Sequence, residues 1–442
     1  MKITGQTASA VFESIRQQIL SGALVPGQLL PPVRDLALAL GINRNTVASA
    51  YKRLDVAGLA QTQGRRGTVV SARPSPGAQE GTQAGSALHD LASGNPDPRC
   101  LPDLRALLPA RPPRLYGAAT IDPVLAELAH QQLAADCPAG YALELAHGAV
   151  DAIERVLACW LLAGDPVAVE NPCFLGSLNT MRAAGYDAVA VAIDDEGMQA
   201  QALEQALAAG ARAVLLTPRA HNPTGASLSR RRARALRQVL ERYPQVLVLV
   251  DDHFALLSRQ PYHAVIPPTT RRWALLRSLS KSLGPDLRLA FIGCDAETAA
   301  RLRLRMAPGT GWVSHLLQDA AAAALGSGRV AARMKRAGDD YVARREVLRQ
   351  ALRAEGIAVG AQMDGLNLWL PLQCDSQPLV MALAQRGWQV RGGEVFSVHT
   401  PVHGVRITTA TLTATDARRF ARDLREALAA WVQGAAAALG LT

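Results

Sequence analysis

Lys281 lies in the run Arg277-Ser278-Leu279-Ser280-Lys281-Ser282-Leu283-Gly284-Pro285-Asp286-Leu287-Arg288. A lysine amine condenses with an aldehyde. Hydroxyls at Ser278 and Ser280 and the guanidinium of Arg288 suit a phosphate dianion. One segment can therefore hold both ends of a phosphorylated aldehyde. Four other places fit the same ligand. The turn His147-Gly148-Ala149-Val150 opens a helix, whose free N–H groups and dipole suit a phosphate. Phe174, after Glu170-Asn171-Pro172-Cys173, is placed to stack on an aromatic ring. Asn222, within Thr217-Pro218-Arg219-Ala220-His221-Asn222-Pro223-Thr224-Gly225, can bond a ring hydroxyl. Asp251 ends an apolar strand, where a buried carboxylate needs a cation, and a protonated pyridine nitrogen is one. Singly, each has a plainer reading: Asp251 as a helix cap, Phe174 as core, Lys281 as a solvated surface residue. In this order and at these spacings they describe a pyridoxal phosphate site.

The elements that must position these residues alternate. Apolar runs at 167–169, 188–193, 213–217, 246–250, 274–277 and 290–292 have strand character. Helix-length segments stand between and after them at 149–162, 174–184, 200–209, 229–242 and 298–305. That pattern predicts an α/β domain with a mainly parallel sheet covered on both faces. Ligands on such sheets bind at the carboxyl ends of strands, where the polar residues above fall.

The amino-terminal residues read differently. Val11, Ile15 and Ile19 recur every four residues, the stripe of a first helix begun near Thr7 or Ser9. A second helix runs from about Pro32 to Leu40 and stops at Gly41. Asn43 can cap a third, with Val47, Ala50, Tyr51 and Leu54 inward and Gly58 at its end. This is a helix-turn-helix, and Arg44, Asn45 and Thr46 sit where a recognition helix meets base edges. Residues 59–62 and 68–70 then alternate around Gly64-Arg65-Arg66-Gly67, a hairpin tip with two arginines able to enter a minor groove or clasp phosphate.

Net charge is +10. Up to Arg73, nine basic residues stand against three acidic ones, so most of that surplus lies where the helix-turn-helix is expected. A second cluster, Arg230, Arg231, Arg232, Arg234 and Arg237, reads as a solvated helix face. Hydrophobic residues at 49% and charged ones at 19% describe a globular chain, with no run long enough to span a membrane. Scattered cysteines without metal-ligand spacing argue against disulfides and zinc, and point to a reducing cytoplasm. Residues 72–88 are rich in Pro, Gly, Ser, Ala and Gln and are expected to form a flexible linker between domains at 1–71 and 89–442.

Leu30-Pro31-Pro32-Val33-Arg34, Asn43-Arg44-Asn45-Thr46-Val47 and the wing glycines Gly64 and Gly67 resemble the winged helix of the GntR family of bacterial regulators. The remainder resembles fold-type I aminotransferases. Together the two are similar to the MocR subfamily, most of all to its PtsJ-type members. The resemblance implies a winged helix joined to an aminotransferase-like domain, with a large mixed, mainly parallel sheet and a smaller C-terminal α+β part. It implies operator contacts by Arg34, Arg44, Thr46 and the wing. It implies pyridoxal phosphate as cofactor or effector, and a head-to-tail homodimer in which Tyr116 reaches the partner's phosphate. Arg406 takes the place where aminotransferases hold a substrate carboxylate. His253 stands where a tyrosine usually bonds the cofactor's ring oxygen; imidazole can make that bond but is charge-switchable near neutral pH. The expected function is a regulator, not an enzyme, that senses pyridoxal phosphate and controls a B6 salvage gene. A working aminotransferase with a DNA-binding appendage is the alternative.

Overall fold

The computed structural model describes residues 3–57, 59–62, 67–71, 78–82, 85–360 and 364–438. The chain divides into two compact units, the first made of residues 1–77 with 162–165 and 181–187, the second of the rest. The first is built on α1 (Ala8–Leu20), α2 (Val33–Leu40), α3 (Arg44–Val56) and the antiparallel pair β1 (Ala60–Thr62) and β2 (Thr68–Val70). Thr7 caps α1 by accepting from the Ala10 N–H, and Gly41 ends α2 in the left-handed conformation that glycine adopts without strain. The Asn43 side chain accepts from the Asn45 N–H at the start of α3. Val11, Ile15, Leu36, Val47, Tyr51 and Leu54 form a core of their own, and the Tyr51 hydroxyl bonds the Pro31 carbonyl at 2.7 Å.

The body opens with β3 (His89–Asp90). Its large sheet contains β4 (Ala142–Ala146), β5 (Pro166–Asn171), β6 (Asp187–Asp194), β7 (Gly197–Met198), β8 (Ala213–Leu216), β9 (Leu247–Asp251), β10 (Arg272–Ser278) and β11 (Ala290–Cys294). The spatial order is β4-β11-β10-β9-β8-β5-β6-β7. Strands β5, β8, β9 and β10 pair in parallel. β11 runs against both β10 and β4, so β4 points the same way as the parallel set. All residues of β8, β9 and β11 are buried, which is why these strands read as unbroken apolar runs.

Helices α4 (Pro123–Leu133), α5 (Ala149–Ala158), α6 (Leu175–Ala184), α7 (Ala200–Ala208), α8 (Arg230–Glu241), α9 (Ser280–Leu283) and α10 (Ala296–Met306) intervene or follow. After them come α11 (His315–Leu325) and the long α12 (Gly328–Ala354), which the sequence reading did not place. A smaller sheet of β12 (Asn367–Pro371), β14 (Arg391–Gly392) and β15 (Gly404–Thr408), ordered β12-β15-β14, packs with α13 (Gln377–Gln385) and α14 (Ala414–Ala438). β13 (Trp388–Gln389) pairs instead with β3. Leu348, Leu368, Leu379, Trp388 and Phe420 fill that second core.

Two expectations need correction. Residues 78–82 of the supposed flexible linker are held: Asn179 bonds the Ala78 carbonyl, Gly81 N–H the Ser93 carbonyl, and Arg391 the Gly81 carbonyl. The composition offers no apolar anchor, and hydrogen bonds and a charge replace one. One of the α8 arginines also departs from the expected solvated face: Arg232 lies half-buried on Asp194 and the carbonyls of Gly197 and Met198, while Arg230, Arg231 and Arg234 are exposed.

Candidate functional site: a pocket at the strand ends

The carboxyl ends of β4, β5, β8, β9 and β10 share one edge of the large sheet. Gly148, Phe174, Asn222, Asp251 and Ser278 to Lys281 follow those ends in turn. Gly148 precedes α5 at φ 93°, and no side chain caps that helix. A Cβ on Gly148 would stand 3.0 Å from the Arg288 guanidinium carbon, so the glycine lets Arg288 lie against the helix entrance. The free N–H groups at Ala149 and Val150 face the same entrance by their position in the first turn. Phe174 lies beside Val150 across Gly176, where a Cβ would meet both side chains within 2.8 Å. The Ser278 hydroxyl accepts from the Ser280 N–H, and Lys281 Nζ donates to the Gly94 carbonyl at 2.6 Å. Burial draws the Lys281 amine below its ordinary range, with Arg406 adding to the shift and Glu80 opposing it.

Asp251 is buried, and its Oδ1 has no hydrogen-bond partner among the described residues. Burial, then the neighbouring Asp252, pushes its carboxyl up to about 7. An orphaned acceptor of that basicity suits a ring N–H donor, and the pocket fits pyridoxal phosphate on this count and at Gly148. Asp252 itself is fully paired, with Arg219 at 2.6 Å and Arg277 at 3.1 Å, which ties the ends of β9 and β10 together.

His253 departs from the sequence expectation. Burial, helped by the charge of Lys281, holds its imidazole down to about 4, so it is neutral at neutral pH and no switch there. Its Nδ1 stands 3.9 Å from Asp251 Oδ2. Behind it lie two groups the sequence reading missed. Burial pushes Glu170 up to about 8 and His221 down to about 3. Their side chains approach to 3.4 Å, and the Thr217 N–H donates to Glu170 Oε2. Both residues stood in the quoted motifs, but only burial reveals their charge state.

Arg406 is wholly buried in β15. Its NH1 donates to Asn222 Oδ1 at 2.8 Å, joining two of the expected site residues. The same guanidinium grips Glu80, with NH1 to Oε1 at 2.6 Å and NH2 to Oε2 at 2.7 Å. The Asn222 amide also donates to Glu80 Oε1 at 2.8 Å, which leaves a second amide hydrogen for another acceptor. Burial works to raise the Glu80 carboxyl, and the Arg406, Lys281 and Asn222 contacts outweigh it and hold the group below the usual glutamate range. Glu80 lies in the segment read as linker and was not anticipated.

Tyr116 is 93% exposed, with its ring 5.9 Å from that of Trp312. In the first unit Arg34, Arg44 and Asn45 are exposed and Thr46 half-buried, the last three at the amino end of α3. Arg65 and Arg66, like Gly58 and Gly64, lie outside the described residues. Among the described residues no cluster could hold a metal ion, and no helix is long and apolar enough to cross a membrane.

Residues 7–70 match the family of bacterial regulatory proteins of the gntR type, and residues 115–424 match aminotransferase class I and II. The chain is 52% identical to the vitamin B6 salvage pathway transcriptional repressor PtsJ of Salmonella typhimurium, over 96% of this chain and 99% of that protein. The chain belongs to the MocR-type transcriptional regulators. Other relatives agree: the regulator TauR of Rhodobacter capsulatus is 29% identical, covering 89% of this chain and 90% of its own. The probable rhizopine catabolism regulatory protein MocR of Rhizobium meliloti is 25% identical, covering 76% and 75%. Among solved structures, the kynurenine aminotransferase of Pyrococcus horikoshii superposes with a TM-score of 0.70 at 20% identity, over 78% of this chain and 91% of its own. That likeness establishes the fold-type I aminotransferase fold of the MocR-type body.

Proposed function

We propose that this MocR-type regulator senses pyridoxal phosphate and through it controls a gene of vitamin B6 salvage. The observation that carries the reading is the buried Asp251 Oδ1, without a partner among the described residues, at the same strand ends as Lys281, within a chain so similar to PtsJ. Asp251 would hold the protonated ring nitrogen, Asn222 the ring hydroxyl, and Phe174 the ring face. Ser278, Ser280, Arg288 and the first N–H groups of α5 would hold the phosphate. When bound, the cofactor supplies an aldehyde for the Lys281 amine. Arg34, Arg44, Asn45, Thr46 and the wing arginines Arg65 and Arg66 would engage operator DNA in the cytoplasm. A head-to-tail homodimer would cover the exposed Tyr116, Leu115 and Leu316.

Titrating pyridoxal phosphate against a fixed operator complex tests this. Binding is expected at micromolar concentrations or below, at least ~8 kcal/mol, with operator affinity shifting by a factor of roughly 5 or more. Saturation of the cofactor site with no change in DNA binding would overturn sensing and leave the cofactor a structural part. The intact Lys281, Asp251 and Asn222 favour a second reading, an active aminotransferase. Turnover on the order of 1 s⁻¹ with an amino and keto acid panel would establish it.

A further inference from the structure

Glu80 is held as a ligand is held. Both of its oxygens are bonded by the two terminal nitrogens of a guanidinium that is wholly buried, and an amide from Asn222 completes the grip. Such a fork matches any carboxylate. Gly94 clears the approach: a Cβ there would stand 2.6 Å from Glu80 Oε2 and 3.1 Å from Arg406 NH2. Among the described residues, the segment around Glu80 is secured by hydrogen bonds of the Ala78 and Gly81 backbone and of the Thr82 hydroxyl, with no large apolar side chain from 78 to 82. Little therefore holds this segment that a soluble carboxylate could not replace. The converse does not hold, because removing Glu80 with nothing in its place strands a buried cation at high cost.

We propose that Glu80 is a tethered occupant of a carboxylate site formed by Arg406, Asn222 and Gly94, and that a small free monocarboxylate binds there by displacing it. Displacement frees residues 78–82, which lead back along the chain to the DNA-binding unit. The site would then be read by the regulator through the release of its own chain. The inference rests on the reading of this pocket as a ligand site, but it does not require pyridoxal phosphate to be the ligand.

The test uses the full-length protein free of cofactor, with propionate as the probe and chloride at equal ionic strength as the control. Because Glu80 fills the site most of the time in the wild type, apparent affinity is reduced by the small open fraction. Calorimetric titration should therefore show propionate binding about tenfold more tightly, or better, to Glu80→Ala and Glu80→Gln. Saturating propionate should also speed hydrogen exchange of the 78–82 amides in the unmutated protein. Equal propionate affinity in all three proteins, no binding to Glu80→Ala, or unchanged exchange at saturation would each overturn the proposal. Absorbance of the same proteins with pyridoxal phosphate separates the two readings. A protein that takes propionate in this way and no cofactor defeats the cofactor reading alone, and the reverse defeats only the displacement of Glu80.

Discussion

The Glu170 carboxyl and the His221 imidazole lie 3.4 Å apart, both buried, and burial is the largest influence on their protonation, with Asp251 adding to the rise at Glu170 and His253 to the fall at His221. Glu170 stays protonated up to about 8 in the folded chain, against a value of 4.5 for an unburied glutamate. Between those values the unfolded chain has released the proton and the folded one has kept it. Raising the pH therefore draws the protein toward unfolding, and the loss is complete above the folded value. His221 works in the opposite sense, but its window closes at its unburied value of 6.5. Measurements between about pH 6.5 and about pH 8.5 thus isolate the buried acids. Glu170→Gln keeps the shape and cannot ionise, so its stability to urea should fall less across that interval, by on the order of 1 kcal/mol. Parallel curves for the two proteins would show that Glu170 is ionised when folded. At the other end of the pocket, Lys281→Ala should abolish the visible absorbance of bound pyridoxal phosphate while leaving its noncovalent binding and the fold. A borohydride-trappable adduct at another lysine would refute the role given to Lys281.

Elements differ in the work their ends do. The amino end of α3 presents Arg44, Asn45 and Thr46, proposed here to reach base edges, whereas the wing arginines are proposed to meet the phosphate backbone. Arg44→Ala and Thr46→Ala should each cost ~1–3 kcal/mol on the operator and relax its specificity. Changes at Arg65 and Arg66 should weaken all sequences alike and flatten the salt dependence. Equal losses on operator and random DNA for all four, measured across a salt series, would displace α3 from the major groove. The strands at 213–217 and 246–250 were legible because burial on both faces writes a continuous apolar run, and Gly41 and Asn43 marked helix ends by local chemistry. The alanine-rich α11 and the polar α12 went unread although Gly326 ends the first and Ser327 caps the second by accepting from the Val330 N–H. The contact between Glu80 and Arg406 joins positions 326 residues apart, and no local pattern encodes a bond of that kind. The neutrality of His253 was hidden for a related reason: a residue type gives its intrinsic pKa, while its burial belongs to the fold.

On the scale of the whole molecule, the chain carries cores that share no residue. Val11, Ile15, Val47 and Leu54 belong to the first unit, while the clusters around the large sheet and around Trp388 and Phe420 belong to the second. All the residues proposed to hold pyridoxal phosphate, and Glu80 with them, lie after residue 77. A ligand stabilises only the unit whose folded form it binds, by about 2.7 kcal/mol at a hundredfold excess over its dissociation constant. Heating should therefore produce two transitions, of which pyridoxal phosphate raises one by several degrees and leaves the other in place. The two can be told apart, because all six tryptophans (160, 273, 312, 369, 388 and 431) lie in the second unit. Tryptophan fluorescence should follow the transition that moves, and far-ultraviolet circular dichroism should report both. Lys281→Ala should reduce that rise at a fixed cofactor concentration. If both transitions rose together with pyridoxal phosphate, the division into two units would have no thermodynamic meaning. The winged helix would then unfold with the body as one cooperative unit, and a signal from the pocket would need no segment to carry it.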